Sequence, residues 1–98
     1  MSIIFDIETD GFYQDVTKIH CIALKEIGEK DVRLFGPDSI PEALKILQDA
    51  DVLIGHNIIQ YDIPVIKKLY PEIKLTDNVL DTINLSMICF PEYPANQH

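Results

Sequence analysis

With 98 residues the chain is one domain at most, and a domain of that length buries only roughly 60 to 70 percent of the surface its unfolded chain exposes. Hydrophobic residues make up 47% and charged residues 24%, with 4 Gly, 6 Pro and no long polar tract, which excludes a disordered chain. A formal net charge of −8 excludes the broad basic surface with which most nucleic-acid binders displace counterions, so a nucleic-acid substrate would need metal ions or a partner to offset repulsion.

Ser2 to Ile7 is a β-branched and aromatic run, the mark of a strand buried on both faces. It ends in Asp6-Ile7-Glu8-Thr9 before Asp10-Gly11 breaks it. Strand side chains alternate, so Asp6 and Glu8 share one face while Ile7 points the other way. Two acids on one face repel each other. They are either solvated at a strand end or neutralised by a hard divalent cation, which prefers oxygen ligands and often bridges carboxylates to phosphates.

Lys18 to Ile27 alternates imperfectly, and Gly28-Glu29-Lys30-Asp31 suits a hairpin loop into Val32-Arg33-Leu34-Phe35. Ser39 is placed to cap a helix with Pro41 and Glu42 in its first turn and Leu44 and Leu47 on its apolar stripe. Val52 to Asn57 reads as a fourth strand, parallel to the first and reached by the helix as a crossover. Asp62 to Leu69 reads as a second helix, with Pro64 in its first turn. There Asp62 is a candidate N-cap as well as a candidate metal ligand. Val79-Leu80 is a brief fifth strand, and Thr82 to Ile88 the start of a third helix with Asp81 available to cap it or to line the cleft. Phe90 to His98 has two prolines and no periodicity, the pattern of a loop or tail.

The order is βββαβαβα, a mixed five-stranded α/β sheet whose ligand site belongs at the carboxyl ends of the parallel strands. Asp6, Glu8 and Asn57 fall at such ends. Cys21 and Cys89 lack CxxC spacing and read as small buried hydrophobes, with a disulfide as the lesser alternative, which suits a reducing cytoplasm. No basic segment precedes the first apolar run, and no run approaches the roughly 18 residues of a membrane span, so neither a signal peptide nor a membrane partner is expected.

Asp6-Ile7-Glu8-Thr9 resembles the first motif of the DEDD 3′→5′ exonucleases, and Asn57-Ile58-Ile59-Gln60-Tyr61-Asp62 resembles their second. Thr17-Lys18-Ile19-His20-Cys21 and Leu80-Asp81-Thr82 are similar to segments of the proofreading domain of family A DNA polymerases, phage ones in particular. The resemblance runs to about Ile88. It implies a ribonuclease H-like fold and two-metal phosphodiester hydrolysis with Mg²⁺ or Mn²⁺ at the 3′ end of single-stranded DNA. In it Asp6 would bridge both ions, Glu8 would hold the ion nearer the nucleophile and orient its water, and Asp62 would support the second. Thr9 would contact the terminal nucleotide, Asn57 would fix the local loop or meet the substrate backbone, and Tyr61 would pack beneath the site.

The family completes its site with Tyr-x-x-x-Asp or His-x-x-x-Asp on a later helix, and neither occurs after Asp62. The resemblance therefore implies a partial exonuclease domain over residues 1–90, truncated before the last helices, and a tail over 91–98. Since positioning a nucleophile accounts for several powers of ten in rate, the chain is expected to be weak or inactive alone. It would work with the remainder of a polymerase or a complementing subunit, in the host cytoplasm if viral. The alternative is a non-catalytic interaction or regulatory module binding a replication protein. Apolar surface left open by the absent helices would favour a homodimer.

Overall fold

A computed structural model describes residues 1–82; the third helix expected beyond Thr82 and the tail from residue 91 lie outside them. Strand β1 (Ser2–Thr9) lies at the centre of the sheet. On one side it pairs antiparallel with β2 (Ile19–Glu26), which pairs antiparallel with β3 (Arg33–Phe35). On the other it pairs in parallel with β4 (Val52–Gly55), which pairs in parallel with β5 (Val79–Asp81). The order across the five strands is β3-β2-β1-β4-β5. This is the mixed five-stranded sheet expected from the sequence.

Helix α1 (Ile40–Asp49) carries the chain from β3 to β4, and helix α2 (Ile63–Leu69) from β4 to β5. Both connections join parallel strands and move in the same direction across the sheet. The right-handedness of such crossovers then puts both helices on one face. The packing agrees: Ile3, Phe5 and Ile7 of β1 share a single buried cluster with Ile40, Leu44 and Leu47 of α1 and Val65 and Ile66 of α2. The opposite face of β1 is open, with Ile4, Asp6 and Glu8 exposed, so the strand is buried on one face where its composition suggested two.

The imperfect alternation of β2 has a cause. Glu8 pairs with Cys21 and Thr9 with Ile19, which leaves His20 as an extra residue in a bulge. That residue shifts the alternation, so Ile19 and Ile22 both reach the core while His20 is exposed. Helix α1 follows a 3₁₀ turn over Pro37–Ser39, and Ser39 makes no side-chain capping bond.

Candidate functional site

The carboxyl ends of β1, β4 and β5 lie side by side, and Asp6, Glu8 and Asp81 fall at or near them. Gly55, the last residue of β4, is the only residue type that fits its place. A Cβ there would stand 2.3 Å from Cγ2 of Ile58 and 2.9 Å from the carbonyl oxygen of Phe5, so β4 and β1 approach closely. Two residues on, Asn57 adopts a left-handed conformation (φ 60°, ψ 29°), which asparagine tolerates better than most residues. Asp81 holds that reversal. Its Oδ1 accepts from the Asn57 amide at 2.8 Å and its Oδ2 from the Ile59 amide at 3.0 Å. Asp81 is thus buried as a brace for the turn after β4. His56 Nδ1 lies 3.0 Å from Oγ1 of Thr82.

Ile58–Asp62 forms a π-helical turn that runs directly into α2. The amide of Ile63 donates to the carbonyl of Ile58, five residues back, and Pro64 follows with no amide hydrogen to restore four-residue spacing. This wide turn determines where Asp62 goes. Its carboxylate does not cap α2; Oδ2 accepts from the backbone amide of Ile7 at 3.1 Å. Ile7 is the residue between Asp6 and Glu8, so the buried Asp62 carboxylate meets the backbone of β1 between two exposed acids.

Asp62 is only 4% exposed. Burial pushes its carboxyl up to about 7, the Ile7 amide opposes that shift, and the neighbouring charges of Asp6 and Asp81 add to it. The donor set is all carboxylate oxygen, which in kind suits a hard divalent cation. In number it falls short: among the described residues no group of three or more His, Cys, Asp or Glu side chains is close enough to hold a metal ion. The protein brings Asp62 to the backbone between Asp6 and Glu8 and does not draw the three carboxylates into one cage.

The remaining motif residues organise the loop after β1. The Thr9 and Tyr61 hydroxyls bond each other and lie 2.9 and 2.6 Å from the Gly11 carbonyl; with one proton apiece, one of them donates to that carbonyl while the other donates to its hydroxyl neighbour. Tyr61 is partly buried against the core. Asp10 accepts from the Thr17 hydroxyl and from the amides of Thr17 and Lys18, which hold its carboxyl well below the usual carboxylate range. Lys68 of α2 donates to the carbonyls of Tyr13 (2.6 Å) and Gln14 (3.3 Å), its ammonium 5.1 Å from the Tyr13 ring centroid. Val16 anchors the loop in the core. What this pinned loop displays is Phe12, 79% exposed. The sequence reading passed over Phe12 and the bracing role of Asp81; a lone aromatic after Asp-Gly at a strand end was the available signal for the first.

A family model described as RNase_H superfamily matches residues 3–93. Solved structures that match include the family B DNA polymerase from the hyperthermophilic archaeon Pyrobaculum calidifontis, with a TM-score of 0.56 at 18% sequence identity. That match covers 71% of this chain and 11% of the polymerase chain, so the likeness is one of fold with a small part of a larger molecule. A search of curated proteins finds no match.

Proposed function

The chain belongs to the RNase H superfamily, and from that premise we propose that it forms the first part of the proofreading 3′→5′ exonuclease domain of a phage-type family A DNA polymerase, hydrolysing phosphodiesters at DNA 3′ ends. The observation that carries the reading is the bond from the Ile7 amide to Asp62, which ties the second acidic motif to the backbone of the first. Asp6 and Glu8 would hold Mg²⁺ or Mn²⁺, with Asp62 in support. When bound, such ions supply Lewis-acid stabilisation of the charge that gathers on the phosphoryl oxygens. The chain's own contribution is placement. Asp81 and Gly55 set the turn that delivers Asp62, and the Thr9–Tyr61–Gly11 bonds with Lys68 steady the loop. Phe12 offers a ring on which a terminal base can stack, an attraction independent of base identity.

A second reading, an interaction module that has kept the sheet and given up turnover, is favoured by one observation: the absence of a three-ligand group among the described residues. One experiment separates the two. The chain is incubated in excess with 5′-labelled single-stranded DNA and Mn²⁺. Stepwise shortening from the 3′ end that disappears in Asp6→Ala supports the nuclease; DNA or partner binding without shortening, unchanged in Asp6→Ala, supports the module.

A further inference from the structure

We propose that the groove between α2 and the segment entering β5 holds the single strand of nucleic acid behind its 3′ end, an inference that deepens the nuclease reading and rests on it. The groove measures about 640 Å³, within the roughly 300 to 1,000 Å³ of ordinary ligand sites. Its apolar lining comes from Ile59, Ile63, Leu75 and Val79. Residues four apart on a helix are neighbours, so Lys67 and Lys68 stand one turn beyond Ile63 and Pro64 on the same wall. A net charge of −8 excludes a broad cationic surface and leaves room for a narrow one. Two of the chain's eight Lys and Arg residues line this groove, against one of its sixteen Asp and Glu residues, Asp77.

The position of the groove favours a nucleic acid over other anions. Tyr13 lines one end of it and is next in sequence to Phe12, the ring offered to a terminal base. Tyr13 is 44% exposed and Ile59 46%, so the apolar surface that begins at Phe12 continues into the groove. Lys68 donates to the carbonyls of Tyr13 and Gln14 and lies 5.1 Å from the Tyr13 ring centroid, which fixes the ring at the groove mouth and keeps a positive charge beside it. Lys67 is exposed one position before it and is the residue assigned to a phosphate. Rings for bases beside cations for phosphates are the two parts of a single-strand site that is indifferent to sequence. An acidic peptide would use the lysines and leave the continuity with Phe12 without a role.

The test measures binding of 5′-labelled oligothymidylates of two and six nucleotides to the whole chain by fluorescence anisotropy, with Ca²⁺ as the hard cation. The longer strand is expected to bind at least about tenfold more tightly. Lys67→Gln is expected to cut that advantage to below about threefold, to leave the affinity for the shorter strand unchanged, and to lower the slope of log affinity against log salt by about 0.7. Lys67→Arg keeps the charge and is expected to keep the advantage. Asp77→Asn is expected to raise the advantage about threefold, since it removes the one acid of the lining. Lys30→Gln makes the same change of charge at an exposed lysine in the hairpin at the amino end of β1 and is expected to alter neither affinity. A length advantage indifferent to Lys67→Gln overturns the proposal and leaves the nuclease reading standing, because shortening from the 3′ end is read separately. Equal losses from Lys30→Gln and Lys67→Gln show an effect of overall charge and overturn it too. Absence of binding at both lengths overturns it together with the nuclease reading. A peptide of alternating Glu and Leu that binds more tightly than the longer strand and needs Lys67 assigns the groove to a protein, which again overturns the proposal.

Discussion

The backbone amide of Ile7 donates to the carboxylate of Asp62 at 3.1 Å across 55 positions of sequence. Through this bond a buried carboxyl carried by a helical turn is locked to the backbone of β1 between two acids.

The first prediction follows from that burial. The Asp62 carboxyl titrates near 7 in the folded, metal-free chain and near 3.8 when unfolded. Between those values the folded chain holds a proton that the unfolded chain has released. The stability contributed by this carboxyl is therefore fully present below about pH 4, falls as pH rises through this window, and is lost above 7. Asp62→Asn keeps an acceptor for the Ile7 amide and cannot ionise. Urea midpoints are expected to show the variant more stable than the parent at pH 8, by roughly 2 kcal/mol once solvent screening is allowed for, and nearly equal to it at pH 3.5. An equal difference at both pH values would contradict the assignment.

Gly55→Ala tests the close approach of β4 to β1. The added carbon meets a backbone oxygen as well as a flexible methyl group, so a side-chain adjustment relieves only half the clash. A loss of about 2 to 4 kcal/mol in equilibrium unfolding is expected, well above the roughly 0.5 kcal/mol of an indifferent surface substitution.

Removal of Asp81 leaves the amides of Asn57 and Ile59 without the acceptors they use now. Asp81→Ala is expected to cost about 2 to 3 kcal/mol and to speed hydrogen exchange at those two amides first. Asn57→Gly, which suits a left-handed backbone, should cost little, while Asn57→Val should cost more than about 1 kcal/mol. Comparable effects from the two substitutions would show that the turn is not held in that conformation.

Phe12→Ala separates recognition from stability. The ring is almost wholly in solvent, so unfolding should move by less than about 0.5 kcal/mol. Affinity for a short single-stranded oligonucleotide should drop by about 5- to 100-fold if a base stacks there. Tyr61→Phe deletes a hydroxyl bound to Gly11 and Thr9 and should weaken the same binding more mildly, through the loop. Fluorescence anisotropy of a labelled oligonucleotide measures both.

Much of this architecture was legible in the residues. The run ending at Glu8, the helical spacing of Leu44 and Leu47 and the apolar β4 gave the strand and helix order, because hydrophobic periodicity records which elements touch a core. Burial on one face of β1 was not legible, since an isoleucine facing a groove looks like an isoleucine facing a helix. The bulge at His20 left only a trace, the broken alternation of β2. The π turn was hidden because Pro64 marks a helical first turn equally well after an α or a π entry. The roles of Asp62 and Asp81 depend on which amides their oxygens meet 55 and more than 20 residues away, and local pattern carries no such information.

The wide turn at Ile58–Asp62 sets regularity against alignment. Deleting one residue between Ile58 and Tyr61 would let the segment relax into ordinary α-helix and shed an uncommon backbone shape. It would also swing every later position by about 100° around the axis and carry the carboxyl of Asp62 off β1. A shortened variant of this kind would be the smoother helix and the poorer hinge between the two acidic motifs, so the spare residue works as a spacer that keeps them in phase.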